Sequence, residues 1–178
     1  MRANQCLVTT LVLAGTLLSC KDRGDELKIL SPIASDAELF EFVTRTEPFS
    51  SFALFPDCDS VTSGTLNGST AHQPFVRVSM NALAFGALQN GSLAQGTEFP
   101  DGSVIFKQIM MNGQTVLYAV IFKDKGNTLS ANGWLWAEFH PDGATAFSVT
   151  GRGSGCTGCH AREEGPQHDF VRTFERQH

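Results

Sequence analysis

The chain has 178 residues, a formal net charge of −5 and 42% hydrophobic residues. That length suits one domain plus a targeting segment, with enough apolar material for a packed core. The 13 Lys and Arg are scattered among 18 Asp and Glu, which argues against a nucleic-acid surface. Phe is over-used, at 14 residues against one Tyr and two Trp. Rings with no polar handle suit a dry, apolar cavity.

The first residues read as an address, not as fold. Arg2 supplies a short positive region, and Cys6 to Leu18 is apolar but too short to span a bilayer comfortably. The run ends in Leu17-Leu18-Ser19-Cys20, which resembles the bacterial lipobox: an aliphatic residue three before a cysteine and a small one just before it. The resemblance implies a signal peptide over 1–19 and a lipid anchor on Cys20. The next residue is Lys21, not Asp, which by resemblance to enteric lipoproteins points to the periplasmic face of the outer membrane. Residues 20–35 form a tether, charged from Lys21 to Glu26, and 36–178 form the domain.

Ser35-Asp36-Ala37-Glu38 is a capping box. It predicts a helix to about Thr46 with Leu39, Phe42 and Val43 on one face, ended by Pro48. Residues 57–73 read as a loop. Phe75 to Met80 alternates as a strand, and a short helix follows from Asn81 to Gln89, closed by Asn90-Gly91. After a turn at Phe99-Pro100-Asp101-Gly102 come strands over Ser103 to Met111, Thr115 to Lys123 and Trp134 to His140. Asn112-Gly113 marks a hairpin. Phe147 to Thr150 is a further candidate strand, and Asp169 to Arg176 a C-terminal helix. The expected fold class is α+β: a mainly antiparallel, barrel-like sheet with flanking short helices.

Cys156-Thr157-Gly158-Cys159-His160 is the attachment signature of a c-type haem. Two thiols three residues apart can bond to the two vinyl groups of one porphyrin, with Cys156 and Cys159 forming thioethers and His160 ligating the iron. A zinc half-site would require a second Cys or His pair, and none follows. A redox dithiol would sit at the start of a helix in a strand–helix–strand unit, which is not readable here. Cys6 leaves with the signal, and Cys58 remains alone, buried or inert.

Lys107 sits on a strand apolar on both faces, sharing its own with Ser103, Ile105, Ile109 and Met111. A buried Lys must be paired or neutral, and a neutral Lys is a nucleophile, unless the side chain snorkels to an edge. Glu138 shares a face with Trp134, Trp136 and His140, and facing inward it is a candidate catalytic base. Arg77, between Val76 and Val78, is a third candidate for a cavity charge. His72, His140, His168 and His178 are set aside as ligands. Met80, Met110 and Met111 are read as core filler, though one of them could supply a sixth iron ligand.

Pro74-Phe75-Val76-Arg77, Phe99-Pro100-Asp101-Gly102-Ser103-Val104-Ile105-Phe106-Lys107, the Trp-bearing strand, the haem motif and Asp169-Phe170 together resemble cytochrome P-460 and its relative cytochrome c′-beta, over roughly 37–176. The resemblance implies a β-rich homodimer with five-coordinate haem c. It places at Lys107 the lysine that in cytochrome P-460 bonds to a porphyrin meso carbon. It also implies oxidation of hydroxylamine, with electrons passed to a periplasmic electron-transfer protein. The cytochromes c′-beta instead bind nitric oxide and carbon monoxide in a Phe-lined pocket. A third reading is a six-coordinate electron carrier. Gln108, where many relatives carry an acid, departs from the pattern.

Overall fold

The computed structural model describes residues 32–56, 60–162 and 165–177. The expected signal peptide, Cys20, most of the expected tether, Cys58 and His178 lie outside them. Among the described residues no helix is long and apolar enough to cross a membrane.

Helix α1 (Asp36–Glu41) starts at the expected cap, with the reciprocal bond falling one residue before the N-cap. The Ser35 hydroxyl accepts the Glu38 N–H, and the Glu38 carboxylate reaches back to the Ala34 N–H. The expected helix does not stay regular: a π-type turn carries Phe42–Thr46. Leu39, Phe42 and Val43 are all buried, as their spacing predicts. Ile33, assigned to the tether, is also buried, so packing begins slightly before residue 36.

The strands are β1 (Ala53–Leu54), β2 (Thr62–Ser63), β3 (Phe75–Met80), β4 (Val104–Met111), β5 (Gln114–Lys123), β6 (Trp134–Phe139) and β7 (Thr145–Phe147). They form one antiparallel sheet in which β3 to β7 follow in chain order, and β1 and β2 both pair with the outer edge of β3. The Asn112-Gly113 and Asn132-Gly133 turns take positive φ at both residues, as tight hairpins of this twist demand. The sheet is open, which corrects the barrel-like expectation. The edge strands β1 and β7 have two and three residues, short enough to offer little template for a further strand.

Other boundaries also move. The fourth candidate strand runs over Thr145–Phe147 and gives way to a 3-10 turn at Val149–Gly151. Helix α2 (Ala82–Gly86), capped by Asn81, is shorter than expected. The C-terminal segment is 3-10 over Arg172–Gln177, not an α-helix from Asp169.

Both faces of the sheet are covered. On one, α1 and the π-turn pack Leu39, Phe42 and Val43 against Val104, Phe106, Phe122, Leu135 and Phe139. On the other, Val76, Val78, Ile105, Ile109, Ile121, Trp134 and Trp136 meet Phe99, Val171 and Phe174. This explains the near-continuous apolar runs of β4 to β6. It also relocates the Phe enrichment. Phe49 stacks on Phe106 at 4.4 Å, Phe42 meets Phe122 edge-on, and Phe99 stacks on Phe174. The rings build the two cores.

Candidate functional site

A cavity of about 300 Å³ opens on the face of the sheet away from α1. Its floor is set by cross-strand register. Lys107 on β4, Ala119 on β5 and Glu138 on β6 lie in one row, and Ile105, Ile121 and Trp136 form the next. Residues opposite one another in antiparallel strands point to the same face, so Lys107 and Glu138 rise on either side of the small Ala119. Strand spacing puts their backbones about 10 Å apart.

The rim is the cysteine motif. Helix α3 (Thr157–His160) is a single turn capped by Cys156. Positions i, i+3 and i+4 share a helical face, so Cys156, Cys159 and His160 all line the cavity. Gly153, at φ +65°, lets this turn settle on Trp136; a β-carbon there would stand 2.7 Å from the indole Cδ1. The His160 ring meets Trp136 edge-on at 4.8 Å.

The His160 Nδ1 lies 2.7 Å from the Phe170 carbonyl oxygen. A carbonyl only accepts, so Nδ1 carries the proton and Nε2 keeps its lone pair for ligation. Burial, reinforced by the charge of Lys107, pushes the His160 pKa down to about 3, so the ring is neutral near pH 7. Burial, with Glu138 and Cys159 adding to it, pushes the Cys156 thiol up to about 11. A redox dithiol needs the opposite shift. Arg172 donates to the Cys159 sulfur at 3.1 Å and is gripped by both oxygens of Glu175, at 2.7 and 2.8 Å. Asn67 donates to the same carboxylate.

Opposite the motif stands a polar group that sequence reasoning missed in part. Lys107 turns into the cavity, with Nζ 3.0 Å from His72 Nδ1. With Lys107 donating there, the His72 proton sits on Nε2, which lies 3.7 Å from Glu138 Oε1. The charge of Lys107, followed by burial, lowers the His72 pKa; Glu138 opposes the shift. His72 thus joins Lys107 and Glu138, although it was set aside on sequence. It lies in an irregular loop where no periodicity assigns a face. The nearest signal is Gly64, whose absent β-carbon would collide with the His72 carbonyl.

Arg77 does not line the cavity. Its neighbours Val76 and Val78 take the cavity-side core, and its Nε donates to the Ser60 carbonyl at 2.9 Å. Among the described residues no Met and no Phe lines the cavity. Met80 is core and Met111 is exposed. His140 is exposed, and His168 packs on Phe174. Among the described residues no three His, Cys, Asp or Glu side chains converge to hold a metal ion unaided.

A comparison with curated proteins found no match. The family model for cytochrome P460 matches residues 60–173, a span that runs from the loop carrying His72 through the cavity floor and the cysteine motif to Thr173. More than half of the chain is matched, and it belongs to the cytochrome P460 family of haem-containing cytochromes.

Proposed function

We propose that this chain is an exported c-type cytochrome that binds and oxidises a small nitrogen compound, with hydroxylamine as the leading candidate. One observation carries the reading: two cysteine side chains, a neutral imidazole with one free nitrogen, and the Lys107–His72–Glu138 group all face a single cavity. Cys156 and Cys159 would hold haem as thioethers, and His160 Nε2 would be its proximal ligand. The haem supplies the redox centre and an iron coordination position for substrate. The chain supplies proton handling. Glu138 would take a proton released as an N–H or O–H substrate is oxidised, and His72, its Nδ1 occupied by Lys107 and its Nε2–H directed at Glu138 across 3.7 Å, would orient that carboxylate. Lys107, which lines the same cavity, would be the residue to form any additional bond to the porphyrin edge. Cys20 would anchor the protein to the outer membrane, a periplasmic electron-transfer protein would accept the electrons, and the protein would act as a homodimer.

A gas-binding role without turnover calls for an apolar, Phe-lined wall, and a six-coordinate carrier calls for a Met; the cavity wall favours neither. The test is the optical spectrum of the reduced protein together with its intact mass. The expected results are a five-coordinate haem that binds carbon monoxide and a mass of chain plus haem. A Lys107 bond would reduce that mass by the displaced hydrogens and shift the ferrous band to the red, and Lys107→Ala would abolish both effects. His160→Ala should lose axial ligation. Colourless protein with the mass of the delipidated polypeptide, or a low-spin spectrum indifferent to carbon monoxide, overturns the reading.

A further inference from the structure

Asp169 and Phe170 are consecutive non-glycine residues with positive φ, +51° and +65°. Each is a backbone state that a β-carbon disfavours, and such states persist only where surrounding contacts over-determine them. This kink turns the Phe170 carbonyl onto His160 Nδ1. It is clamped from the sheet. Lys123, the last residue of β5, donates to both Asp169 oxygens at 2.7 and 2.8 Å. The same carboxylate accepts the Phe99 N–H at 2.9 Å, and the Asp169 carbonyl accepts the indole N–H of Trp134 at 2.8 Å. Lys123 and Trp134 are register partners on β5 and β6, and the ammonium also lies 4.9 Å from the indole ring centroid.

The Lys123 and Asp169 side chains are 1% and 3% exposed. Desolvating two charges offsets most of their attraction, and well-packed apolar residues commonly do as well. Stability alone is therefore a weak reason for the pair. Its geometric consequence is specific: it holds the one carbonyl that decides which His160 nitrogen is free.

We propose that the buried Lys123–Asp169 pair is a positioning device for His160, clamping the Asp169–Phe170 kink so that the Phe170 carbonyl fixes the imidazole's tautomer, orientation and basicity. The proposal rests on His160 being the iron ligand, as proposed above. A hydrogen bond from Nδ1 to a fixed acceptor makes the ring a stronger donor to a metal, which favours ferric over ferrous iron.

The test uses the full chain, with and without haem. Asp169→Asn keeps an acceptor for the Phe99 N–H and removes the charge. Lys123→Met/Asp169→Asn removes both charges and serves if a single variant fails to fold. Phe106→Leu, in the core on the opposite face, controls for plain destabilisation. In the haem-free chain, nitrogen-15 shifts of His160 should show one protected Nδ1–H tautomer in wild type and the control, and mixed tautomers in the pair variants. In the loaded protein, the pair variants should show a lower iron–imidazole stretching frequency and a higher reduction potential, while the control keeps wild-type values. Pair variants with wild-type tautomer, frequency and potential overturn the positioning role and leave the haem reading intact. A chain that takes up no haem overturns the haem reading, and the nitrogen-15 comparison still decides whether the pair orients His160.

Discussion

Ala119→Leu separates the requirements of the sheet from those of the site. Ala119 occupies the middle of the cavity floor, between Lys107 and Glu138. Leucine adds three carbons pointing into open space. At about 0.8 kcal/mol per buried carbon, full burial would contribute about 2.4 kcal/mol. The cavity opens to solvent, so about half of that is realistic, and Leu loses roughly 0.5–1 kcal/mol of rotamer freedom. The net expectation for the haem-free chain is between neutral and about 1 kcal/mol more stable, worth up to about 4 °C in Tm. The same side chain stands where the proposed haem or its ligand would lie, so on that reading haem occupancy should fall sharply. Urea titration of the haem-free chain and the haem-to-protein absorbance ratio read the two effects. Overpacking a filled core costs about 1–3 kcal/mol. A loss of that size in the haem-free variant would show that the row faces no open space. Wild-type haem occupancy with an unchanged reduced spectrum would show that the cavity is not the haem seat.

Lys107→Met removes the largest cause of the lowered His72 pKa, so His72 should titrate at a higher pH, followed by NMR; an unmoved titration would contradict the 3.0 Å contact. In wild type the folded-state value lies below the ordinary 6.5. The stability tied to neutral His72 is therefore present above that pH and is lost as the pH falls below it. The variant should lose less between about pH 7 and pH 5, as measured by urea midpoints. Phe106→Ala leaves a cavity beneath Phe49 and should cost about 3–5 kcal/mol by denaturant titration while leaving the His72 titration unchanged. Gly153→Ala must hold φ near +65° and displace Trp136, so it should cost about 1–3 kcal/mol and shift the tryptophan fluorescence.

Short-range physics carried the elements that were legible in sequence. Ser35 and Glu38 announce a helix start because the cap is made within four residues, and Asn112-Gly113 announces a hairpin because the turn's backbone demands positive φ. Alternation put Lys107 on a face with Ile105 and Ile109, and Glu138 on a face with Trp134 and Trp136, but left open whether either side chain turns inward; strand pairing decided that. The irregular π and 3-10 segments were not legible, because local propensity does not distinguish them from a regular helix. Arg77 fell outside the cavity because its strand turns Val76 and Val78, not Arg77, toward the core on that side.

The chain alone determined that two thiols and an imidazole fall within five residues, since their spacing is covalent and local. Only the tertiary structure decided what they face. The cross-strand row that sets Lys107 and Glu138 on either side of Ala119, the loop that brings His72 between them, and the kink that aims the Phe170 carbonyl at His160 all join residues far apart along the chain. Pairing register and buried polar contacts fix such juxtapositions, and neither leaves a local pattern to read.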